Sequence, residues 1–422
     1  MKLKVTTGIL ITLLLASMLG AMTPNVSANN AKWTFMVYMD ADNNLDCPEN
    51  FDLLMDVGST DEVNIVVLWD GYGETSILYY DSKGNPVTAS GSHFYYVVEG
   101  NISEDARFPT GGKELNMGDP YILKTFVDFT FAYYPADHYC LVLWDHGYAM
   151  EGCCWDWTNG SDNLTPQELV EALEGRYIDV IAWDACLQAY MEVVYEYAAG
   201  GLAASYLVGS EIYVSWYGFP YDWILQALVD DPDMTPKEFA VTIAEKYAEC
   251  YRPRAHWNYN PRATLSVIDL SEVEDAADQL SKLADSLIEK VDDGENYVLK
   301  SNSYYGLLSQ ARAKGNIADV TYSEYFIDLP SFAKSLCKAK DPDIREAAKN
   351  LVDALNKAIV YVGNTQPMGS VTLGLGIYFP KSYEKGVELW QEWWETYYMG
   401  TRFAQETLWV DLLFAYWNVY VE

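Results

Sequence analysis

At 422 residues the chain is long enough for one large domain or two ordinary ones, each with its own core. Half of its residues are apolar and 15% are aromatic, which excludes a disordered chain. A net charge of −34 excludes non-specific binding to nucleic acid or anionic lipid, and favours cationic substrates, bound divalent ions or solubility in salt.

Lys2 and Lys4 precede an uncharged apolar run, Val5 to Gly20, and Val26-Ser27-Ala28 supplies small residues at a cleavage point. Residues 1–28 are therefore predicted to be a secretory signal peptide removed before Asn29, with a membrane anchor as the competing reading. Removing Lys2 and Lys4 with it takes the charge from −34 to −36.

Trp33 to Met39 and Val63 to Trp69 are continuous apolar runs, expected as strands buried on both faces. A helical pattern lies between them, over Leu45 to Val57. Ile77–Tyr80 and Phe94–Val98 are expected in a smaller hairpin layer, with Lys83-Gly84-Asn85 turning. Asp119-Pro120 opens a helix to about Tyr133. Tyr139–Trp144 is another buried strand, ending at Asp145-His146-Gly147. Thr165 to Glu168 caps a helix to Leu173, and Ile178–Trp183 is a strand ending at Asp184-Ala185-Cys186. Leu187 to Ala199 reads as helix and Ala204 to Gly209 as strand. Strands alternating with helices of this length imply parallel crossover units in a covered sheet.

After about residue 235 the pattern becomes helical: Pro236–Tyr251, Val273–Val291 and Asp341–Val362, with strands at Thr264–Leu270 and Val371–Phe379. The apolar run Leu408–Val421 is too short to span a bilayer and contains Asp411, so it reads as a core element. The expected organisation is an α/β domain over 29–235 and an α-rich C-terminal subdomain over 236–422, packed on the first.

Two residues stand where open α/β sheets place their sites, just past the ends of strands. His146 is one of four histidines, and Gly147 after it lets backbone approach a ligand. Cys186 follows a strand and precedes a predicted helix, whose N-terminus favours a thiolate and offers N–H groups to an oxyanion. Singly each is compatible with a structural role; together they form the nucleophile-and-base pairing of covalent catalysis. The seven cysteines are odd in number, so at least one thiol stays free, and no CxxC pair marks a zinc site. Nucleotide-binding glycine motifs, HExxH and GxSxG are all missing.

Tyr38-Met-Asp-Ala-Asp-Asn-Asn-Leu45, Glu114-Leu-Asn-Met117, Trp144-Asp-His-Gly147, Asp184-Ala-Cys186, Ser210-Glu211, Gly218-Phe-Pro-Tyr-Asp222, Thr264–Asp269 and Gly374–Pro380 occur in one order along the chain. In that order they resemble the clostripain-like cysteine peptidases of the caspase-like clan. The resemblance implies a caspase-like, mostly parallel sheet flanked by helices. It implies a His146–Cys186 dyad, an oxyanion hole from the N–H groups of Gly147 and Cys186, and substrate-binding roles for Asp184, Ser210 and Glu211. Asp184 would favour arginine or lysine before the scissile bond, as a buried carboxylate pairs well with a guanidinium.

The expected activity is that of a secreted or cell-surface cysteine endopeptidase acting on proteins or peptides, without nucleic acid and without stable membrane insertion. No cofactor is needed for the chemistry; a structural calcium ion is compatible with the charge. Ile212 to Ser215 hold no second acidic anchor for a basic side chain, so a weakened basic preference is expected. No lysine or arginine occurs from Gly147 to Gly175, so the protein is expected to act as one uncut polypeptide from Asn29. Two other readings fit the same residues: an inactive relative serving as a surface binding protein, and a cysteine amidase acting on cell-wall peptides.

Overall fold

The structure is a computed structural model that describes residues 30–45, 48–73, 75–110, 113–253, 255, 262–292, 306–317, 324–365 and 372–417. The predicted signal peptide, Cys47 and His256 lie outside the described residues.

The apolar runs become the centre of a nine-stranded sheet. Its strands are β1 (Ala31–Ala41), β2 (Val63–Gly71), β5 (His93–Val98), β6 (Asn101–Glu104), β7 (Ala136–Trp144), β10 (Ile178–Asp184), β11 (Ala204–Gly209), β12 (Thr264–Asp269) and β14 (Ile359–Asn364). They lie in the order β14-β12-β11-β10-β7-β1-β2-β5-β6. The five central strands, from β11 to β2, run parallel, and each flank adds an antiparallel pair. The remaining strands form two-stranded ladders: β3 (Ser76–Tyr80) with β4 (Pro86–Ala89), β8 (Cys153–Asp156) with β9 (Asp162–Leu164), and β13 (Phe326–Asp328) with β15 (Gly376–Tyr378).

Alternation along the strands divides the core between the two faces. Met36, Tyr38, Leu141, Leu143, Ile181 and Trp183 point to one face, where helices Pro120–Tyr133, Pro166–Ala172, Met191–Ala199 and the C-terminal helices cover them. Phe35, Val37, Met39, Val142, Val180 and Ala182 point to the other, under helices Glu49–Met55, Tyr221–Asp230 and Pro236–Cys250. Both faces are dry, which is why these strands read as unbroken apolar runs. The result is a mostly parallel sheet between helical layers, with an α-rich C-terminal region.

Local signals account for the helix starts. Asp119 accepts from Tyr121 N–H with Pro120 at the first turn, and Thr165 and Glu168 form a reciprocal capping box. Two segments differ from expectation. The turn at Lys83-Gly84-Asn85 joins β3 to β4, while His93–Val98 pairs with β2 in the main sheet. The helix expected over Asp341–Val362 ends at Ala358, and Ile359–Asn364 becomes edge strand β14. Ile359, Val360, Tyr361 and Val362 are β-branched or aromatic, and pairing with β12 outweighs continuing the helix. Strands β12 and β14, from beyond residue 236, thus belong to the same sheet as β1. Leu408–Val421 contains the helix Trp409–Trp417, and no described helix is long and apolar enough to cross a membrane.

Candidate active site

Strands β7 and β10 are parallel neighbours, and their register pairs Trp144 with Asp184. His146 and Cys186 each lie two residues beyond that pair, so one register brings both to the same edge of the sheet. Both line a cleft of about 270 Å³, together with Gly147, Tyr148, Asp184, Tyr213, Val214, Trp216 and Gly218. Gly147 is where the two loops touch. A Cβ there would stand 2.1 Å from the carbonyl oxygen of Cys186 and 3.0 Å from its nitrogen, so only glycine permits this approach.

His146 Nε2 lies 2.8 Å from Asn44 Oδ1. An amide oxygen only accepts, so this contact places the hydrogen on Nε2 and leaves Nδ1 as the basic nitrogen. Burial lowers the pKa of His146, which keeps the ring neutral near pH 7. Its neighbour Asp145 anchors the loop, accepting from Asn43 Nδ2 at 2.7 Å and from the Trp155 N–H.

Cys186 is half-buried, and its Sγ accepts from Val214 N–H at 3.3 Å. Burial pushes the thiol up to about 12, against that N–H, while the charges of Asp184 and Asp145 add to the rise. At rest near pH 7 the Cys186 thiol and the His146 imidazole are therefore both neutral. The expected helix N-terminus is not where the sequence placed it: the helix begins at Met191, with Tyr190 at its N-cap. Leu187 instead adopts φ +60°, a left-handed conformation costing about 1–2 kcal/mol in a non-glycine residue. That turn is held by Leu187 N–H on Ile212 O at 3.2 Å and by Ala189 N–H on Ser210 O at 3.0 Å. The thiol's donor thus comes from the segment after β11 rather than from a helix end.

Asp184 is 5% exposed. Its Oδ2 accepts from Phe219 N–H and Tyr221 Oη, both at 2.9 Å, whereas Oδ1 is buried without a hydrogen-bond partner. Burial raises its carboxyl to about 7, and the two donors oppose the rise. Gly218, at φ +67°, covers this carboxyl: a Cβ there would lie 2.6 Å from Oδ2 and 3.0 Å from Oδ1.

Ser210 and Glu211 are fully buried and do not line the cleft. Ser210 Oγ accepts from Ile212 N–H at 3.1 Å, and its carbonyl braces the Cys186 loop. Glu211 Oε1 accepts from Gly374 N–H at 2.9 Å, and its carbonyl accepts from Tyr190 Oη at 2.8 Å. The structure thus gathers His146, Gly147, Asp184 and Cys186 in one cleft and sets Ser210 and Glu211 behind it as supports. Asn44, Val214 and Gly218 are contacts that sequence reasoning did not assign. Asn44 and Gly218 fall inside the motifs that carried the resemblance, which was their only signal. Cys140, Cys153, Cys154, Cys186 and Cys337 are free thiols.

The chain is similar to known proteins in sequence and in fold. The Clostripain family model matches residues 37–417. Clostripain of Hathewaya histolytica is 28% identical over 428 residues, covering 90% of this chain and 79% of its own. An inactive zymogen C11 protease from Parabacteroides distasonis superposes with a TM-score of 0.63 at 20% identity, over 90% of this chain and 99% of its own. A secreted C11 cysteine protease from Bacteroides thetaiotaomicron, solved with an irreversible peptide inhibitor, gives 0.62 at 19% identity, over 87% and 97%.

Proposed function

The chain belongs to the Clostripain family of cysteine endopeptidases, and from that premise we propose that Cys186 is its nucleophile, His146 its general acid/base and Asp184 its specificity residue. The observation that carries this reading is the shared cleft beyond the Trp144–Asp184 pair, with an unpartnered carboxylate oxygen in its lining.

The sulfur of Cys186 attacks the scissile carbonyl carbon while His146 Nδ1 takes the thiol proton. Transfer during attack suits a dyad whose two members are both neutral at rest. The carbonyl π electrons move to oxygen, and the N–H groups of Gly147 and Cys186 receive that oxyanion. Collapse breaks the C–N bond, His146 returns the proton to the leaving amine, and a thioester remains on Cys186. Water, deprotonated by His146, then attacks the thioester and restores the thiol.

Asp184 favours arginine or lysine before the scissile bond, since its free Oδ1 offers a desolvated carboxylate to a cation. Tyr213, Val214 and Trp216 make the walls apolar, so long uncharged side chains are tolerated as well. The enzyme is exported through its predicted leader and acts as a single chain from Asn29.

A peptide library cut by the purified protein at several pH values tests the reading. Internal cleavage after arginine or lysine is expected, with about 10²-fold or greater loss in His146→Ala and no turnover in Cys186→Ala. Because the Asp184 carboxyl titrates near 7, the kcat/KM ratio of basic to uncharged substrates should rise as pH increases through 7, then level. Asp184→Asn should flatten that rise. Cleavage surviving in Cys186→Ala, action confined to cell-wall peptides, or a pH-independent ratio in the unaltered enzyme would each contradict a stated role.

A further inference from the structure

A second cavity, of about 330 Å³, lies beside the catalytic cleft and has no part in the chemistry proposed above. Leu45 and Trp144 line both cavities and form the ridge between them. The second cavity is built on Met39, Phe51, Trp69 and Leu78. Its described lining carries no carboxylate, amine, guanidinium or imidazole, in a chain whose net charge is −34. Mostly apolar cavities of about 300 Å³ and upwards are the kind that hold ligands.

The register of the sheet relates the two cavities. Asp184 on β10 pairs with Trp144 on β7, Trp144 with Met39 on β1, and Met39 with Trp69 on β2. Paired residues of parallel strands point to the same face, so these four side chains form one row across the sheet. Phe51, from helix Glu49–Met55, and Leu78, from β3, also line the cavity on that face. Gly71 leaves room for the Trp69 ring at the end of the row: a Cβ there would stand 2.3 Å from it. Neighbouring strands lie about 4.8 Å apart, so along the row Trp144 is about 5 Å from Asp184 and Met39 about 10 Å.

The proposed dyad, on which this inference rests, gives a bound substrate its direction. His146 returns a proton to the leaving amine, and it follows β7, on the side of β10 that faces β1. The residues after the scissile bond therefore leave across β7 towards β1 and β2. The residue before the bond reaches down to Asp184. Side chains of an extended peptide alternate, so the second residue after the bond shares that side. Two residues advance the chain by about 6.6–7.2 Å, which sets that side chain just past the Trp144 ridge.

We propose that this cavity is the subsite for the second residue after the scissile bond, and that it takes a large apolar side chain. Leucine, methionine and phenylalanine match its walls, while an acidic or basic side chain would lose water without gaining a partner. The Asp184 pocket thus selects the acyl part of the substrate, and the second cavity selects the leaving peptide.

The test isolates the leaving side. An arginine ester of a small alcohol forms the thioester on Cys186 without filling the second cavity. Dipeptide amides of the form Gly-Xaa then compete with water for that thioester. The acceptor amine attacks the thioester carbonyl, the C–S bond breaks, and His146 passes the amine proton to the sulfur as the new peptide bond forms. The ratio of peptide to free acid, read by mass spectrometry, should be about tenfold or more higher for leucine or phenylalanine at Xaa than for alanine, aspartate or lysine. Ile77, half-buried on β3, lines the cavity. Ile77→Asp should cut the leucine ratio about tenfold and place lysine above leucine. Each value compares two fates of one acyl-enzyme, so a smaller folded fraction cancels. A ratio independent of Xaa, with the ester still hydrolysed, would overturn the subsite and leave the dyad standing. An apolar preference in Xaa-Gly amides and not in Gly-Xaa amides would overturn the register. Ester hydrolysis retained in Cys186→Ala would overturn the dyad, and the subsite with it.

Discussion

At the scale of single residues, the site depends on a contact that carries no chemistry of its own. Asn44 supplies one acceptor to His146 Nε2, and so decides which ring nitrogen is basic. Asn44→Ala removes that constraint and lets the ring rotate or take the other tautomer. Asn44 is exposed, so little stability is at stake. We expect kcat to fall about 10- to 100-fold, with KM for a basic peptide changed little. Steady-state kinetics check this: a rise in KM at constant kcat would make Asn44 a substrate contact instead. Gly147 and Gly218 are fixed by close approach, one against the Cys186 backbone and the other against the Asp184 carboxyl. Neither requirement is visible in the sequence, where each is one glycine among 28.

At the scale of elements, β10 carries most of the burden. It delivers Asp184 and Cys186 beside β7, and it is buried along its whole length. Ile181 is fully buried at its centre, between Leu141 on β7 and Leu207 on β11. Ile181→Ala should lower unfolding free energy by about 2–5 kcal/mol, the loss of transfer energy plus a cavity the sheet cannot close. Urea denaturation measures this. Below the transition, Cys186 should still react with a thiol-directed peptidyl inhibitor, because the register is set by backbone pairing. A loss under about 1 kcal/mol would show that the neighbouring helices collapse onto the site. The segment after β11 matters as much as a strand: Ser210, Ile212 and Val214 all bond the Cys186 loop.

At the scale of the whole molecule, buried acids shape the response to pH. Glu192 is fully buried, and burial raises its carboxyl to about 8, opposed by the N–H of Tyr378. Glu211 is raised well above the usual carboxylate range, first by burial and then by the charge of Asp328. Raised carboxyl pKa values mean that the folded state holds protons the unfolded chain releases. The stability they confer is full below the unfolded value near 4.5, declines as pH rises towards about 8, and then levels. The net charge of −34 adds self-repulsion in the same direction. The urea midpoint should be higher at pH 5.5 than at pH 8.5, and an equal or reversed order would contradict this account.

The sequence by itself determined the elements whose signals are local. Continuous apolar runs marked β1, β2, β7 and β10 because both faces of the sheet are covered, and Asp119-Pro120 and Thr165 to Glu168 marked helix starts through their caps. It also placed His146 and Cys186 at strand ends, since strand length and chain order are written locally. Only the tertiary structure decided what depends on pairing between distant segments. Ile359–Asn364 could be told from helix only by its partner β12, and His93–Val98 chose β2 over the nearer β3. The Cys186 thiol takes its N–H from Val214 and not from a helix end, because Leu187 turns left-handed and delays the helix to Met191. Ser210 and Glu211 sit behind the cleft because the end of β11 must support that turn. Asp42, Asp70, Glu114 and Asp156 come from four separate segments, and nothing short of the folded sheet brings their carboxylate oxygens within 4.8 Å of one another.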